Sequence, residues 1–254
     1  MRVKLNYTKN TKLVPNNLQN LNSYINKLLG KNNPYHDKQS DYCCVGMLGE
    51  VITDGGRNLN YPNGGYIIFS TPDEKILNIV LSSLHTNTEY GYGMVFDGLQ
   101  FIEEKTYGGN NLIIPVGNRG ILLKGKDKNG KPYFVTPDNT DNYTEVITNQ
   151  IINKFSKINP KLDFSEFSIE KIDKYRVSNH YVKNIRNTST RLTLVIKTNK
   201  KVMEHLMNYG IGHSTGSGFG TICMHEDYKN RYPNYRMKKS ITKEKSRERN
   251  LETA

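Results

Sequence analysis

The sequence predicts an α+β protein of two tandem ferredoxin-like (RRM-like) domains with a C-terminal glycine-rich loop and a basic tail. Three observations lead there. Apolar runs over residues 1–106 follow the order strand–helix–strand–strand–helix–strand, the split βαβ pattern. The second half repeats that order approximately, with no obvious linker and negligible identity between the halves, so the duplication lies in pattern alone. Five glycines crowd into residues 210–220, and the last 26 residues carry nine Lys/Arg against three Glu. The expected division is 1–110, 111–228 with its loop at 209–220, and a tail at 229–254.

Each element has its own signal. Val3, Leu5 and Tyr7 alternate in Arg2–Tyr7, as a strand does. Pro15 precedes a helix at 16–29, whose Leu18, Leu21, Ile25, Leu28 and Leu29 keep the helical period, and Gly30 ends it. Tyr42–Leu48 is a short apolar strand. The turn-rich DGGRNLNYPNGG leads into a strand at Tyr66–Ser70, with the helix-start signal Ser70-Thr-Pro-Asp-Glu74 directly behind it. The helix at 72–84 turns Ile76, Leu77, Ile79, Val80 and Leu84 inward, and Met94–Thr106 closes the first unit. In the second half, short strands at Leu112–Val116, Ile121–Leu123 and Tyr133–Thr136 precede a helix at 140–157, with Val146, Ile147, Ile151, Ile152 and Phe155 on one face. Strands at 165–173, 175–183 and Arg191–Thr198, a helix at 199–208 and a strand at Phe219–Met224 complete it.

Composition narrows the function. The chain has 254 residues, 35% hydrophobic and 10% aromatic, enough for a folded core and against wholesale disorder. The mean hydropathy is −0.67 and no apolar run of about 18 residues occurs, so no transmembrane helix and no membrane partner are expected. MRVKLNYTKN lacks the apolar stretch of a secretory signal, and a cytoplasmic address is expected. Three cysteines, two adjacent at Cys43 and Cys44, make neither a disulfide framework nor a CxxC metal site. No His/Cys/Asp/Glu group has metal-ligand spacing, so no metal or other cofactor is expected. The formal charge of +12 points to a polyanion, nucleic acid before membrane. Half of it sits in the tail, which is either a disordered solvated end or an RNA-contacting arm.

The glycine-rich loop reads Tyr209-Gly-Ile-Gly-His-Ser-Thr-Gly-Ser-Gly-Phe-Gly220. It lacks the Gly-Lys-Ser/Thr ending of a Walker loop, and it follows a helix and precedes a strand, the reverse of a dinucleotide-binding turn. Two readings fit: a backbone N–H nest for phosphate, or a glycine turn packed beneath a sheet.

A helix followed by GIGHSTGSGFGTI, after two ferredoxin-like units in a basic chain, resembles the C-terminal signature of the CRISPR-associated repeat-processing endoribonucleases of the repeat-associated mysterious protein (RAMP) superfamily. The resemblance covers about residues 1–225. It rests on Gly210, Gly212, Gly218, Phe219 and Gly220, and on an opening strand followed by Leu13-Val-Pro15-Asn-Asn-Leu18 before a helix. It implies metal-independent cleavage of precursor CRISPR RNA within its repeats. The 2′-hydroxyl attacks the adjacent phosphate, leaving a 2′,3′-cyclic phosphate and a 5′-hydroxyl.

That chemistry needs a proton carrier near neutrality and cations or hydroxyls to hold the phosphorane. The resemblance places the carrier after the first helix, where His36 stands in KNNPYHDKQSDY, with Lys27, Lys38 and Tyr42 as its helpers. Asn26 occupies the place where some members carry a helix tyrosine. The resemblance also implies a hairpin that grips the repeat. Lys174, Arg176, Lys183 and Arg186 are its candidate phosphate contacts, with Tyr175 or Tyr181 as stacking platforms. A solvated basic hairpin reads equally well. Gly210, Gly212, His213 and Gly218 are the loop's candidate RNA contacts. His85, His205 and His225 read as structural or surface groups. The partner implied is CRISPR repeat RNA, and beside it a CRISPR effector complex or a second copy of the chain. Two other functions stay open: a non-catalytic RNA-binding superfamily subunit of an effector complex, and a ferredoxin-like domain for a small anionic ligand, which leaves the +12 unexplained.

Overall fold

The structure, a computed structural model, describes residues 1–16, 18–30, 41–54, 58–103, 105–117, 119–182 and 185–231. Of the basic tail only 229–231 falls within them. The chain runs β1 (Arg2–Tyr7), β2 (Val14–Pro15), α1 (Gln19–Leu29), β3 (Cys43–Leu48), β4 (Ile52–Asp54), β5 (Asn58–Asn60), β6 (Gly65–Ser70), α2 (Glu74–Leu84), β7 (Glu89–Gly91) and β8 (Met94–Ile102). It continues with β9 (Gly109–Pro115), β10 (Leu123–Lys126), β11 (Pro132–Val135), α3 (Tyr143–Ile158), β12 (Ser168–Val182), β13 (Ile185–Thr198), α4 (Lys200–Tyr209), β14 (Ile222–Met224) and α5 (His225–Arg231). No helix among the described residues is long and apolar enough to cross a membrane.

Both halves build the same antiparallel sheet. The first orders its strands β3-β6-β1-β8, with β7 beyond β8; the second orders them β12-β13-β9-β14. In each, the unit's first strand lies between its third and fourth, the ferredoxin-like arrangement. Three short strands, β2-β5-β4, form a separate small sheet, and β10-β11 is a separate hairpin.

The apolar runs CCVGML and GYIIFS explain how the halves join. β3 and β6 are buried along nearly their whole length, as strands covered on both faces are. Cys44, Ile67 and Phe69 turn to one core with Leu21, Tyr24, Ile25 and Leu28 of α1 and Ile76, Leu77 and Val80 of α2. Val45, Leu48, Tyr66 and Ile68 turn to the other, formed with α3, α4 and the second sheet. Each fully buried Leu, Ile or Phe contributes roughly 1.5–3 kcal/mol. Arg2 adds a polar tie. Its Nε donates to Ser70 Oγ at 2.7 Å and its Nη2 to the Met207 carbonyl, near the end of α4, at 2.6 Å.

The helix signals hold with small shifts. α1 begins at Gln19 rather than 16, and the Gly30 N–H closes it onto the Lys27 carbonyl at 3.2 Å. Asp73 caps α2 by accepting from the Lys75 N–H at 2.8 Å. Ile79, expected inward, is 40% exposed, because it falls outside the stripe shared by Ile76, Leu77, Val80 and Leu84. The strand from Met94 stops at Ile102 rather than Thr106, and the last strand begins at Ile222 rather than Phe219. The expected pair 165–173 and 175–183 is one strand, β12. The interruption in its pattern is a pair of register shifts, Ile169/Lys171 and Ile172/Lys174, which bulge the strand without ending it.

Candidate functional site

Residues 31–40 lie outside the described ones, and with them His36 and Lys38. The ends of that segment are held. Gly30 is tied to the last turn of α1, and the Asp41 carbonyl accepts from Thr71 Oγ1 at 2.9 Å. Lys27 is exposed on that last turn. Tyr42, expected as a helper of His36, stands just before β3. It is buried, its ring stacked on Phe69 at 5.2 Å and 23°. Burial pushes its hydroxyl well above the usual phenol range, so it stays protonated at neutral pH. Its carbonyl accepts from Thr215 Oγ1 at 3.2 Å, and Cys44 Sγ lies 3.2 Å from the Gly216 carbonyl oxygen. Tyr42 thus pins the first sheet to the glycine-rich loop.

The loop itself turns inward. Gly210, Gly212 and Gly218 are all buried, as the reading of a glycine turn packed beneath a sheet expects. Gly212 has φ +88°, and a Cβ there would lie 2.6 Å from the Leu122 carbonyl oxygen. Gly218 has φ +94°, and its Cβ would come within 2.9 Å of Leu18 and 3.0 Å of Leu21. Both positions need the left-handed backbone and the missing side chain to let the protein's own chain pass. The loop's N–H groups are used internally: Ile211 donates to Gly220 at 2.9 Å, His213 to Leu122 at 2.8 Å, and Gly220 to Gly120 at 2.8 Å. Its carbonyls draw a cation instead. Lys154 Nζ of α3 is buried and donates to the carbonyls of Tyr209 (3.3 Å), Gly210 (3.2 Å) and Gly212 (3.5 Å). Burial lowers its pKa to about 8. The sequence reading missed Lys154, although it stands at i+7 and i+3 from Ile147 and Ile151 on the buried stripe of α3.

His213 is half-buried. Its Nδ1 accepts from the Lys124 N–H at 3.3 Å, which leaves the proton of the neutral ring on Nε2. Burial, with Lys124 and Lys154 adding to it, holds its pKa below the ordinary histidine value.

The long hairpin splits its residues between surface and interior. Lys174, Arg176 and Arg186 are exposed, with Arg186 Nε donating to Asn179 Oδ1 at 3.0 Å; Lys183 lies outside the described residues. Tyr175 and Tyr181 are 50% and 54% exposed, and the Tyr175 hydroxyl donates to Asp138 at 3.0 Å. His180 on the same strand is buried. Burial first, and the Arg119 charge second, lower its pKa to about 4, so the neutral Nδ1 accepts from Arg119 Nη1 at 3.1 Å. Arg119 also donates to Asn16 at 3.3 Å, the Leu18 N–H donates to the Tyr181 carbonyl at 3.4 Å, and the His180 ring meets Phe219 edge-on at 5.8 Å. The tip of the hairpin, the start of α1 and the glycine-rich loop therefore meet at one latch. Alternation alone could not show it, because Arg119 is 61 residues from His180.

Residues 119–224 match the family described as "CRISPR associated protein Cas6, C-terminal". No curated protein matches the chain. Among solved structures, one described as "CRISPR associated protein Cas6" is similar at a TM-score of 0.72 with 17% identity, covering 88% of this chain and 98% of that one. A RAMP protein described as binding different RNA substrates gives a TM-score of 0.77 at 13% identity, covering 88% and 99%. A Cas6-related protein from Pyrococcus furiosus gives 0.76 at 13%, covering 89% and 99%. At these identities the structures establish the double ferredoxin-like fold, and the family match falls on the half that carries the loop, the long hairpin and the latch. Residues 119–224 thus match the Cas6 C-terminal family, and the chain as a whole shares the double ferredoxin-like fold of these solved structures.

Proposed function

We propose that the protein is a metal-independent endoribonuclease that cuts precursor CRISPR RNA within its repeats. The observation that carries this reading is the Cas6-type match over 119–224 on a chain whose two halves share one core. The units are taken as 1–110 and 111–228, with 229–254 as a basic tail. In the reaction, the ribose 2′-oxygen bonds to the adjacent phosphorus as the bond from phosphorus to the 5′-oxygen breaks. The proton lost by the 2′-hydroxyl goes to a base, and the leaving 5′-oxygen gains one. His36 is the residue proposed to carry a proton, because an imidazole titrates near neutrality. Lys27 and Lys38 are proposed to oppose the charge on the phosphorane. Tyr42 acts as a scaffold that fixes the chain leaving the His36 segment. RNA contact is assigned to the exposed Lys174, Arg176 and Arg186 and to Lys183, with Tyr175 and Tyr181 as stacking surfaces.

The test is incubation of the purified chain with transcribed repeat RNA in EDTA. The expected products are one cut per repeat, a 2′,3′-cyclic phosphate and a 5′-hydroxyl. Loss of cutting in EDTA overturns the mechanism. Tight binding with no cut under any condition makes the protein a non-catalytic RNA-binding subunit.

A further inference from the structure

Between β9 and α3 the chain inserts a hairpin that the ferredoxin-like pattern does not require. Its sequence over 123–135, LKGKDKNGKPYFV, holds four lysines and one aspartate. β10 and β11 pair antiparallel from Leu123 opposite Val135 to Lys126 opposite Pro132. Alternation puts Lys124 and Lys126 on one face, about 6.6 Å apart along the strand, a separation comparable to that of successive phosphates on a nucleic-acid strand.

The turn is held by its own groups. The Asp127 N–H donates to the Lys131 carbonyl at 2.9 Å, and the Gly130 N–H to the Asp127 carbonyl at 2.9 Å. The Asp127 carboxylate accepts from the N–H groups of Asn129 at 2.9 Å and Lys131 at 2.8 Å. Lys124, Lys126, Lys128 and Lys131 are all exposed, and none is within ion-pair distance of an acid among the described residues. Four lysines and one acid, Asp127, on a turn whose backbone is already closed form a cationic binding surface. At its root the hairpin is registered to the glycine-rich loop: His213 donates its N–H to the Leu122 carbonyl and accepts the Lys124 N–H at Nδ1.

We propose that the β10–β11 hairpin is a phosphate-binding element for the RNA backbone, with Lys124, Lys126, Lys128 and Lys131 as its contacts. The inference rests on the endoribonuclease reading for its ligand, and on the hairpin's own geometry for its place. The lysines act as point charges, so the hairpin contributes affinity without reading sequence.

The experiment measures repeat-RNA affinity of the full chain from about 50 to 300 mM salt. The variant carries Lys124→Ser, Lys126→Ser, Lys128→Ser and Lys131→Ser together. A control variant carries Lys157→Ser, Lys161→Ser, Lys200→Ser and Lys201→Ser, four exposed lysines elsewhere. The hairpin variant should bind about tenfold or more weakly at low salt, and the slope of log affinity against log salt should flatten by up to about 0.7 per lost contact on single strands. The control should keep the wild-type slope. Because all four hairpin side chains lie in solvent, thermal unfolding should not change. An unchanged slope in the hairpin variant overturns the proposal while the endoribonuclease reading stands, and leaves an acidic protein partner for the hairpin. Equal losses in both variants also overturn it, since net charge then suffices. If the wild type binds no repeat RNA, the underlying reading falls and the proposal with it.

Discussion

The glycine-rich loop and the long β12–β13 hairpin look alike as candidates in the sequence, and the structure separates them. The loop buries its glycines, pairs the N–H groups of Ile211, His213 and Gly220 within the protein, and gathers the carbonyls of Tyr209, Gly210 and Gly212 on Lys154. The hairpin leaves Lys174, Arg176 and Arg186 in solvent and turns His180 inward to Arg119. Glycine marks a place where a side chain would collide, and the collision here is with the protein's own backbone and leucines. Charge marks a place where water or a polyanion is near, because an unpaired buried ammonium is costly. On the proposed function, the loop should govern stability and the exposed cations RNA affinity.

Three substitutions test that division, from the largest effect down. His36→Ala should cut repeat RNA about 10²–10⁴-fold more slowly under single turnover while binding it within a few fold. A normal cutting rate would move the proton transfer to another group, His213 first. Gly218→Val should lower stability by about 2–4 kcal/mol, from the strained φ and from overlap with Leu18 and Leu21. The fraction that remains folded should bind RNA as the wild type does. Denaturant titration with a parallel binding assay reads both quantities. RNA affinity that falls while stability holds would return the loop to the binding surface.

The third is Lys154→Met. It leaves three carbonyls without their donor and should cost about 1–3 kcal/mol near neutral pH. The pH dependence is specific. Folding lowers the Lys154 pKa from 10.5 to about 8, so between those values the unfolded chain holds the extra proton. Stability supplied by this group therefore rises with pH through that window. The wild type should gain on the variant between about pH 8 and 10, with no relative change below. Urea titrations in that range check it, and curves that stay parallel would mean that Lys154 titrates normally.

Particular elements show how far the sequence could be read. Leu21, Ile25, Leu28 and Leu29 are the buried face of α1, and Asp73 caps α2, because helical period and capping are local. The burial of β3 and β6 on both faces is visible in CCVGML and GYIIFS once two layers are known to cover them. The continuity of β12 was not legible, because register shifts interrupt the alternation on which a strand is recognised. Nor was the burial of Tyr42. In the sequence it follows a polar stretch, and its ring stacks on Phe69, 27 positions away, while its carbonyl is bonded by Thr215, 173 positions away.

The sequence by itself determined the order of the four main helices and most of the strands of the two large sheets, the apolar stripes, the cationic surplus and the place of the glycine-rich loop, since periodicity, charge and glycine content are properties of neighbouring residues. The tertiary structure alone decided that the loop's glycines face inward, that Lys154 binds the loop's carbonyls, that Arg119 and His180 latch the hairpin to the start of α1, and that Tyr42 is buried on Phe69. Each of those depends on which distant segment fills the space beside a side chain, and long-range packing, unlike periodicity, leaves no local trace.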